Sequence, residues 1–159
     1  MALSFTDLAA PETAYPLTSF YFAVQIDGID ESSFQEVTGI GSELETEDVV
    51  EGGENRFVHT LPTKPKHSRL VLKRGVVVRS SPLIRWCRKI LDSDFGLPID
   101  PKLINVYLFN EKREPVRGWT FADAYPVKWE IGDFHSGKNE IAIETITLSY
   151  TRCNRNDLR

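Results

Sequence analysis

Residues 20–28, FYFAVQIDG, carry the pattern that decides the fold class of this chain. Phe22, Val24 and Ile26 lie on one face of an extended chain, and smaller or polar residues alternate with them. The stretch ends in Asp-Gly at positions 27–28, a dipeptide typical of tight turns between strands. We therefore predict a half-buried β-strand that ends in a turn.

The rest of the chain is also rich in strand patterns. Two glycines, Gly39 and Gly41, predict a bend or bulge between two of these strands. Pro62 and Pro65 predict a loop, and residues 111–114, EKRE, predict a turn. The predicted strands cover residues 33–41, 42–50, 56–61, 68–79, 102–110, 115–131 and 139–150.

One helix is predicted, over residues 82–91. Ser81 is a suitable N-cap residue, and Pro82 fits the first turn. The spacing predicts a buried face formed by Leu83, Trp86, Cys87, Ile90 and Leu91. It also predicts an outward basic face formed by Arg85, Arg88 and Lys89. The fold class is therefore mainly β, a β-barrel or sandwich with one flanking α-helix. We expect an N-terminal arm at 1–19 and a single domain at 20–159.

Charge is distributed very unevenly along the chain. The first 55 residues contain twelve Asp or Glu and no Lys or Arg, whereas residues 56–91 contain ten Lys or Arg and no acid. The basic block is compatible with nucleic-acid binding, although it offers only Phe57 and Trp86 as aromatic residues. Acidic and basic strands that neutralise each other within one chain are a second explanation. We prefer a third, in which opposite surfaces of different copies join head to tail in a ring or filament.

No catalytic, metal or cofactor site is predicted. His59, His67 and His135 match no ligand spacing, and Cys87 falls on the buried helix face. The sequence lacks a nucleophile elbow, and its paired glycines are flanked by carboxylates that would repel phosphate. A run of Glu at 43, 45 and 47 is more typical of a solvated strand face than of a hydrolase pair.

Localisation is inferred from what the sequence lacks. The N-terminal residues do not have the charged start and apolar run of a secretory signal, and no run approaches the length of a membrane span. The two cysteines, Cys87 and Cys153, do not form a disulfide framework. We therefore expect cytoplasmic synthesis.

Several motifs, in order, resemble the tail tube protein family of contractile phages and contractile injection systems. The motifs extend over nearly the whole chain and are FAVQIDG (22–28), FQEVTGIGSELE (34–45), EGGEN (51–55), LPTKPKHSRLVLKRG (61–75), VYLFNEKREPVRGWTFADAYPVKW (106–129) and NEIAIETITLSY (139–150). Such proteins are similar to the haemolysin-coregulated proteins of type VI secretion.

The resemblance implies a structural and non-enzymatic role. Family members form stacked hexameric rings, and the resulting hollow inner tube lies inside a contractile sheath. The implied partners are other copies of the chain, a sheath protein, baseplate or tube-initiator and terminator proteins, and translocated cargo. The resemblance fits both a phage tail and an injection system. It also fits both the major tube subunit and a copy that is specific to one end of the tube.

The resemblance also implies that the loop around residues 47–56 reaches the next ring. We expect its acidic residues to face basic residues of another subunit, chosen by charge and by position in loops. The expected ring-stacking residues are Glu47, Asp48, Glu51, Gly52, Gly53 and Glu54 on the acidic side, and Lys64, Lys66, Lys73, Arg74 and Arg79 on the basic side.

Overall fold

The computed structural model describes residues 21–31, 34–50, 52–53, 58–76, 81–94 and 96–157. The predicted arm at 1–19 therefore lies outside the described residues. Ten strands and one helix follow in chain order: β1 (Phe22–Ile26), β2 (Ile29–Glu31), β3 (Phe34–Thr38), β4 (Ser42–Val49), β5 (His59–His67), β6 (Leu70–Gly75), α1 (Pro82–Leu91), β7 (Lys102–Phe109), β8 (Pro115–Ile131), β9 (Ile143–Ser149) and β10 (Arg152–Asp157). The prediction of a mainly β fold with one helix is confirmed.

Eight of these strands form one antiparallel sheet, which curves around the core. Its order is β2-β1-β7-β8-β9-β6-β3, and β10 pairs with β8. Strand β8 pairs with β7 up to Ala124 and with β9 from Tyr125 onward. Between these two halves Asp123 has a left-handed φ of 53°, a local irregularity of the kind that bends a strand.

The prediction allowed a barrel or a sandwich, and the sheet does not close into a barrel in the described part of the chain. The sheet ends at β2 on one side and at β3 on the other, and no hydrogen-bonded ladder joins these two strands. The core lies inside the curved sheet, where β1, β6, β7, β8 and β9 each contribute alternate apolar side chains. Strands β2 and β10 were not predicted, since neither has an apolar alternation long enough to be recognised.

The helix covers one side of this core. The Ser81 side chain accepts a hydrogen bond from the Ile84 backbone N–H, so the predicted N-cap is confirmed. Leu83, Trp86 and Cys87 are buried. Leu91 was predicted on the buried face but is exposed, and it occupies the last helical position.

The glycine bend between β3 and β4 is confirmed. Gly39 has a φ of 86°, and a Cβ atom there would lie 1.9 Å from the backbone oxygen of Arg69. Only glycine fits this close approach of two backbones without a shift of one of them. The bend directs the chain out of the main sheet and into the separate pair β4–β5.

The loop predicted at Pro62 and Pro65 is wrong, since both residues lie within β5. Their register partners on β4 are Thr46 and Leu44, with an irregularity between them. Proline cannot donate a ladder hydrogen bond, but it is tolerated at strand edges and bulges. β5 has β4 as its only described neighbour, which makes its second side such an edge.

Candidate assembly interface

Strands β4 and β5 form an arm that stands apart from the rest of the described structure. Their pairing runs from Ser42 opposite His67, which we call the root, to Val49 opposite His59, near the tip. Every residue of the arm is exposed except His67, which is half-buried. At the root the His67 ring lies 5.5 Å from the ring of Tyr150, which in turn packs edge-on against the buried Phe121.

The arm exposes apolar side chains that would normally be covered. Leu44 is 55% exposed, Leu61 is 51% exposed, and Val50 and Val58 near the tip are still more exposed. A lone two-stranded ribbon is at best marginally stable in water. Exposed apolar residues on such a ribbon are typical of a surface that another chain covers.

The charges of the arm are partly neutralised within it. Lys66 Nζ lies 3.5 Å from Glu45 Oε1, and both side chains are largely exposed. Asp48 accepts a hydrogen bond of 2.9 Å from the Thr60 hydroxyl. Acidic and basic strands therefore do fold beside each other, as in the second explanation of the charge asymmetry. Glu47 and Asp48 remain near the tip, where the facing β5 residues are the uncharged Leu61 and Thr60.

The tip itself includes two of the predicted interface residues, Gly52 and Gly53. Both lie in a turn and are exposed, and Gly53 has a φ of 106°. Neither would bring a Cβ atom within 4 Å of another described atom. The turn therefore leaves room for a side chain at both glycines, as far as the described residues extend. The predicted residues Glu51, Glu54 and Arg79 lie outside the described residues.

Two further predicted basic residues, both on β6, are also engaged inside their own chain. Lys73 Nζ donates to Glu36 Oε1 at 3.0 Å, across the β3–β6 pair. Arg74 is only 1% exposed and forms a buried ion pair with Glu144, its register partner on β9. Arg74 is therefore not available for a contact with another subunit, and that prediction is corrected.

The Arg74–Glu144 pair is the centre of a network that sequence reasoning missed. Arg74 Nη2 donates to the Ser81 hydroxyl at 2.7 Å, and Trp129 Nε1 donates to Glu144 Oε2 at 3.1 Å. The Arg74 guanidinium also lies 5.6 Å from the centre of the Phe34 ring. The network links strands β3, β6, β8 and β9 to the helix N-cap.

Of the residues weighed as catalytic or metal ligands, the three Glu at 43, 45 and 47 and the two His at 59 and 67 lie on the β4–β5 arm, whereas Cys87 is buried in α1 and His135 follows β8. Burial, together with the charge of Glu144, raises the pKa of the Cys87 thiol to about 12, so this thiol stays protonated and unreactive at neutral pH. In the ranges that the structure describes, no three residues among His, Cys, Asp and Glu are grouped as metal ligands would be. No described helix combines the length and apolar character needed to cross a bilayer.

The basic block is also spread over the fold rather than forming one surface. Its described members lie on β5, β6 and α1 and, for Arg69, between β5 and β6. They include the buried Arg74 and the acid-paired Lys66 and Lys73. A phosphate backbone is bound through several exposed cations on one face. The geometry thus gives the nucleic-acid alternative no specific support.

Comparison with known proteins decides the family. A family model described as "T4-like virus tail tube protein gp19" matches residues 18–154. The chain belongs to this tail tube protein family. The resemblance carried by the sequence motifs is therefore confirmed. A comparison with curated protein sequences finds no match.

Among solved structures, this tail tube protein is similar to chains of contractile injection systems. A chain in the cryo-EM structure of the anti-feeding prophage baseplate, six-fold symmetrised, is 30% identical with a TM-score of 0.78, covering 91% of this chain and 97% of that one. A chain in the sheath-tube complex of the extracellular contractile injection system PVC is 22% identical with a TM-score of 0.78, covering 99% and 100%. Hcp1 from Flavobacterium johnsoniae shares the fold at 17% identity and a TM-score of 0.57, covering 86% and 94%.

Proposed function

We propose that this tail tube protein is the subunit of a hollow inner tube, made of stacked hexameric rings, in a contractile phage tail or injection particle. Family membership supports the tube role. The six-fold symmetrised baseplate assembly that contains a 30% identical chain supports the ring order. The role is mechanical, because the tube guides cargo and carries out no chemistry.

The observation that carries this proposal is the exposed arm of β4 and β5. Among the described residues, nothing covers its exposed apolar side chains, and no third strand pairs with its edges. In a stacked tube, neighbouring subunits would supply that cover and pair with the free backbone groups. A monomeric protein would gain nothing from an uncovered ribbon of this kind.

Within that assembly, we propose that the arm tip contacts the next ring. The acidic Glu47 and Asp48, with Gly52 and Gly53 in the turn, would meet exposed basic residues of a subunit in that ring. Lys64 and Lys66 remain our candidates for the basic side, and Glu51, Glu54 and Arg79 remain candidates on sequence grounds. Lys73 is less suitable than Lys66, because its side chain is less exposed, at 39% against 65%, and lies closer to its acid, at 3.0 Å against 3.5 Å. Arg74 is excluded by burial.

The partners follow from the same proposal. A sheath protein would surround the tube, baseplate and tube-initiator proteins would start it, and a terminator would close it. Structurally similar chains occur in structures of a baseplate, a tube-terminating cap and a sheath-tube complex. We propose that the subunit is made in the cytoplasm and then works as part of a phage tail or a released or anchored injection particle.

The test is electron microscopy of the concentrated protein, with and without the change Lys64→Glu plus Lys66→Glu. We expect rings or tubes with a central channel from the wild type, and shorter or absent stacks from the variant. The effect comes from many repeated contacts, since one exposed ion pair contributes only about 0–1 kcal/mol. Stacks of unchanged length and yield would overturn the assigned contact.

A matched control separates this contact from a general effect of charge. Lys128 and Lys138 are exposed to a similar degree and lie near Glu130 and Glu140, away from the arm. Lys128→Glu plus Lys138→Glu makes the same change in net charge and should leave stacking unaltered. The pair Glu47→Lys plus Asp48→Lys, added to the Lys64 and Lys66 variant, should restore stacking if the acids face these bases.

A further inference from the structure

Among the described side chains, a single buried nitrogen or oxygen atom has no hydrogen-bond partner, and it lies at the root of the arm. The atom is Nδ1 of His67, the last residue of β5. Buried polar atoms in folded proteins are nearly always paired, so an unpaired one requires an explanation. Nε2 of the same ring is not among the buried unpaired atoms. The neutral ring therefore places its proton on Nε2 and leaves Nδ1 without one.

His67 and Tyr150 connect the root of the arm to the main sheet. The centres of their rings lie 5.5 Å apart, and the Tyr150 ring packs edge-on at 4.9 Å against the buried Phe121. The Tyr150 hydroxyl is directed at the carbonyl oxygen of Gly41, 3.5 Å away, just before β4 begins. Tyr150 therefore contacts the chain both where it enters the arm and where it leaves it.

We propose that His67 and Tyr150 form a pH-sensitive clasp, which fixes the root of the arm to the main sheet at neutral pH and releases it when His67 gains a second ring proton. The clasp accepts the ring in its neutral form. A second proton, taken from the solvent, would go to Nδ1, where the new N–H would be buried without an acceptor. Outside the clasp, water hydrates the same N–H. Acid therefore favours the released ring.

The strands at the root supply no charge that would offset this cost. On β4 the register partner of His67 is the uncharged Ser42, and the neighbouring Glu43 lies opposite Lys66 instead. Along the chain His67 lies close to Lys66 and Arg69. Their positive charges disfavour a further positive charge on the ring.

The main sheet also presents uncharged groups to His67. Burial, with a smaller contribution from Cys153, raises the pKa of Tyr150 above its usual value, so the tyrosine hydroxyl keeps its proton at neutral and acidic pH. Phe121 behind it is apolar. Histidine is the side chain that ordinarily changes charge near about pH 6.5. The clasp therefore holds at neutral pH and is lost on acidification.

Release of the root changes the freedom of the arm and leaves the main sheet intact. The arm is joined to the sheet by two short chain connections, at 39–41 and at 68–69. The β4–β5 ladder does not involve the clasp, so the arm would swing as a unit. A swinging arm loses more freedom when it binds a neighbour than a clasped one does. The inference concerns the free subunit and goes beyond the tube function, so either can fail without the other.

The test measures the position of the arm with two spin labels on the dilute full-length protein. In a Cys153→Ser background, Thr46→Cys labels the exposed face of β4 and Asp133→Cys labels the exposed loop after β8, while the buried Cys87 stays unlabelled. Distances between the labels are recorded at about pH 7.5 and at about pH 5.5, on either side of the range in which histidine changes charge. We expect a narrow distance distribution at the higher pH and one at least about twofold broader at the lower pH. An unchanged distribution would overturn the proposal.

Three variants of this labelled protein assign the response to the clasp. His67→Phe keeps an aromatic ring against Tyr150 but cannot gain a proton, so its distribution should stay narrow at both pH values. His59→Phe, on the same strand near the tip, removes an exposed histidine and should respond to acid as the parent does. Tyr150→Leu removes the clasp and should be broad at both pH values, with tryptophan fluorescence as the check that it is folded. A His67→Phe protein that still broadens in acid, or a His59→Phe protein that does not, would contradict the proposal.

Discussion

The main sheet and the β4–β5 arm both place opposite charges on neighbouring antiparallel strands, but in different surroundings. In the main sheet, Arg74 and Glu144 face each other with side chains 2% and 5% exposed. In the arm, Lys66 and Glu45 approach each other with side chains 65% and 51% exposed. The sequence pattern is similar, yet loss of one partner of the first pair would leave a buried charge uncompensated, whereas the second pair is free to exchange partners. The difference separates the charges that build the subunit from those available for assembly.

The largest effect is expected from Glu144→Gln, which removes one charge of the buried pair. Loss of one partner of a buried ion pair typically costs about 3–5 kcal/mol, because the other charge stays buried without compensation. Urea unfolding followed by tryptophan fluorescence measures the change in unfolding free energy. The matched control is Glu130→Gln, which breaks the exposed contact with Lys128 and should cost at most about 1 kcal/mol. Equal effects of the two changes would remove the distinction between the regions.

A smaller loss is expected from Gly39→Ala at the bend between the two regions. The added Cβ would collide with the Arg69 backbone oxygen, and the φ of 86° disfavours any side chain. A strained backbone of this kind costs on the order of 1–3 kcal/mol. Gly41→Ala is the control, since its Cβ would have nothing within 4 Å. Thermal unfolding should separate the two variants clearly, and a Gly39→Ala protein as stable as Gly41→Ala would contradict the close approach.

The smallest effect concerns Asp27 and its contribution to the stability of the fold at acidic pH. Partial burial raises its pKa, but hydrogen bonds from the Lys102 ammonium and the Leu103 N–H outweigh this and hold the pKa of Asp27 below its usual value. A carboxyl whose pKa is lowered in the folded state stabilises the fold at pH values above its pKa in the unfolded chain, which is about 4. That contribution to stability is lost as the pH falls through the pKa that Asp27 has in the folded state.

Asp27→Asn should therefore reduce stability at neutral pH and weaken its dependence on pH below about 4. Unfolding midpoints in urea between neutral and acidic pH measure both quantities. An Asn variant with the same acid sensitivity as the wild type would show that another carboxyl is responsible. Asp133→Asn, at an exposed carboxyl with no resolved role in the fold, is a suitable control.

The regular elements of this fold were predictable where alternation or helical spacing is long and uninterrupted. Strands β1, β7, β8 and β9 and the capped helix have such patterns. β5 was partly missed because prolines usually end strands, and only its pairing with β4 outside the main sheet explains why they are tolerated. The open sheet was also not predictable, since closure depends on how two distant strands meet.

The buried ion pair was missed although the sequence contained a signal for it. Arg74 continues the alternation of Leu70 and Leu72, which places it on the core face of β6. Glu144 likewise precedes Ile146 and Leu148 at the same spacing on β9. Charged residues are usually exposed, so the two-residue alternation alone did not lead to the prediction that Arg74 and Glu144 are buried. Which exposed charges meet another subunit depends on the assembly and cannot be derived from one chain.

The central claim is that the β4–β5 arm becomes covered when subunits stack. Hydrogen exchange of β4 and β5, measured in the free subunit and in the assembled tube, tests it most directly. We predict rapid exchange of the arm in the free subunit and slow exchange in the tube, while β6 and β9 exchange slowly in both states. An arm that exchanges equally fast before and after assembly would contradict the account.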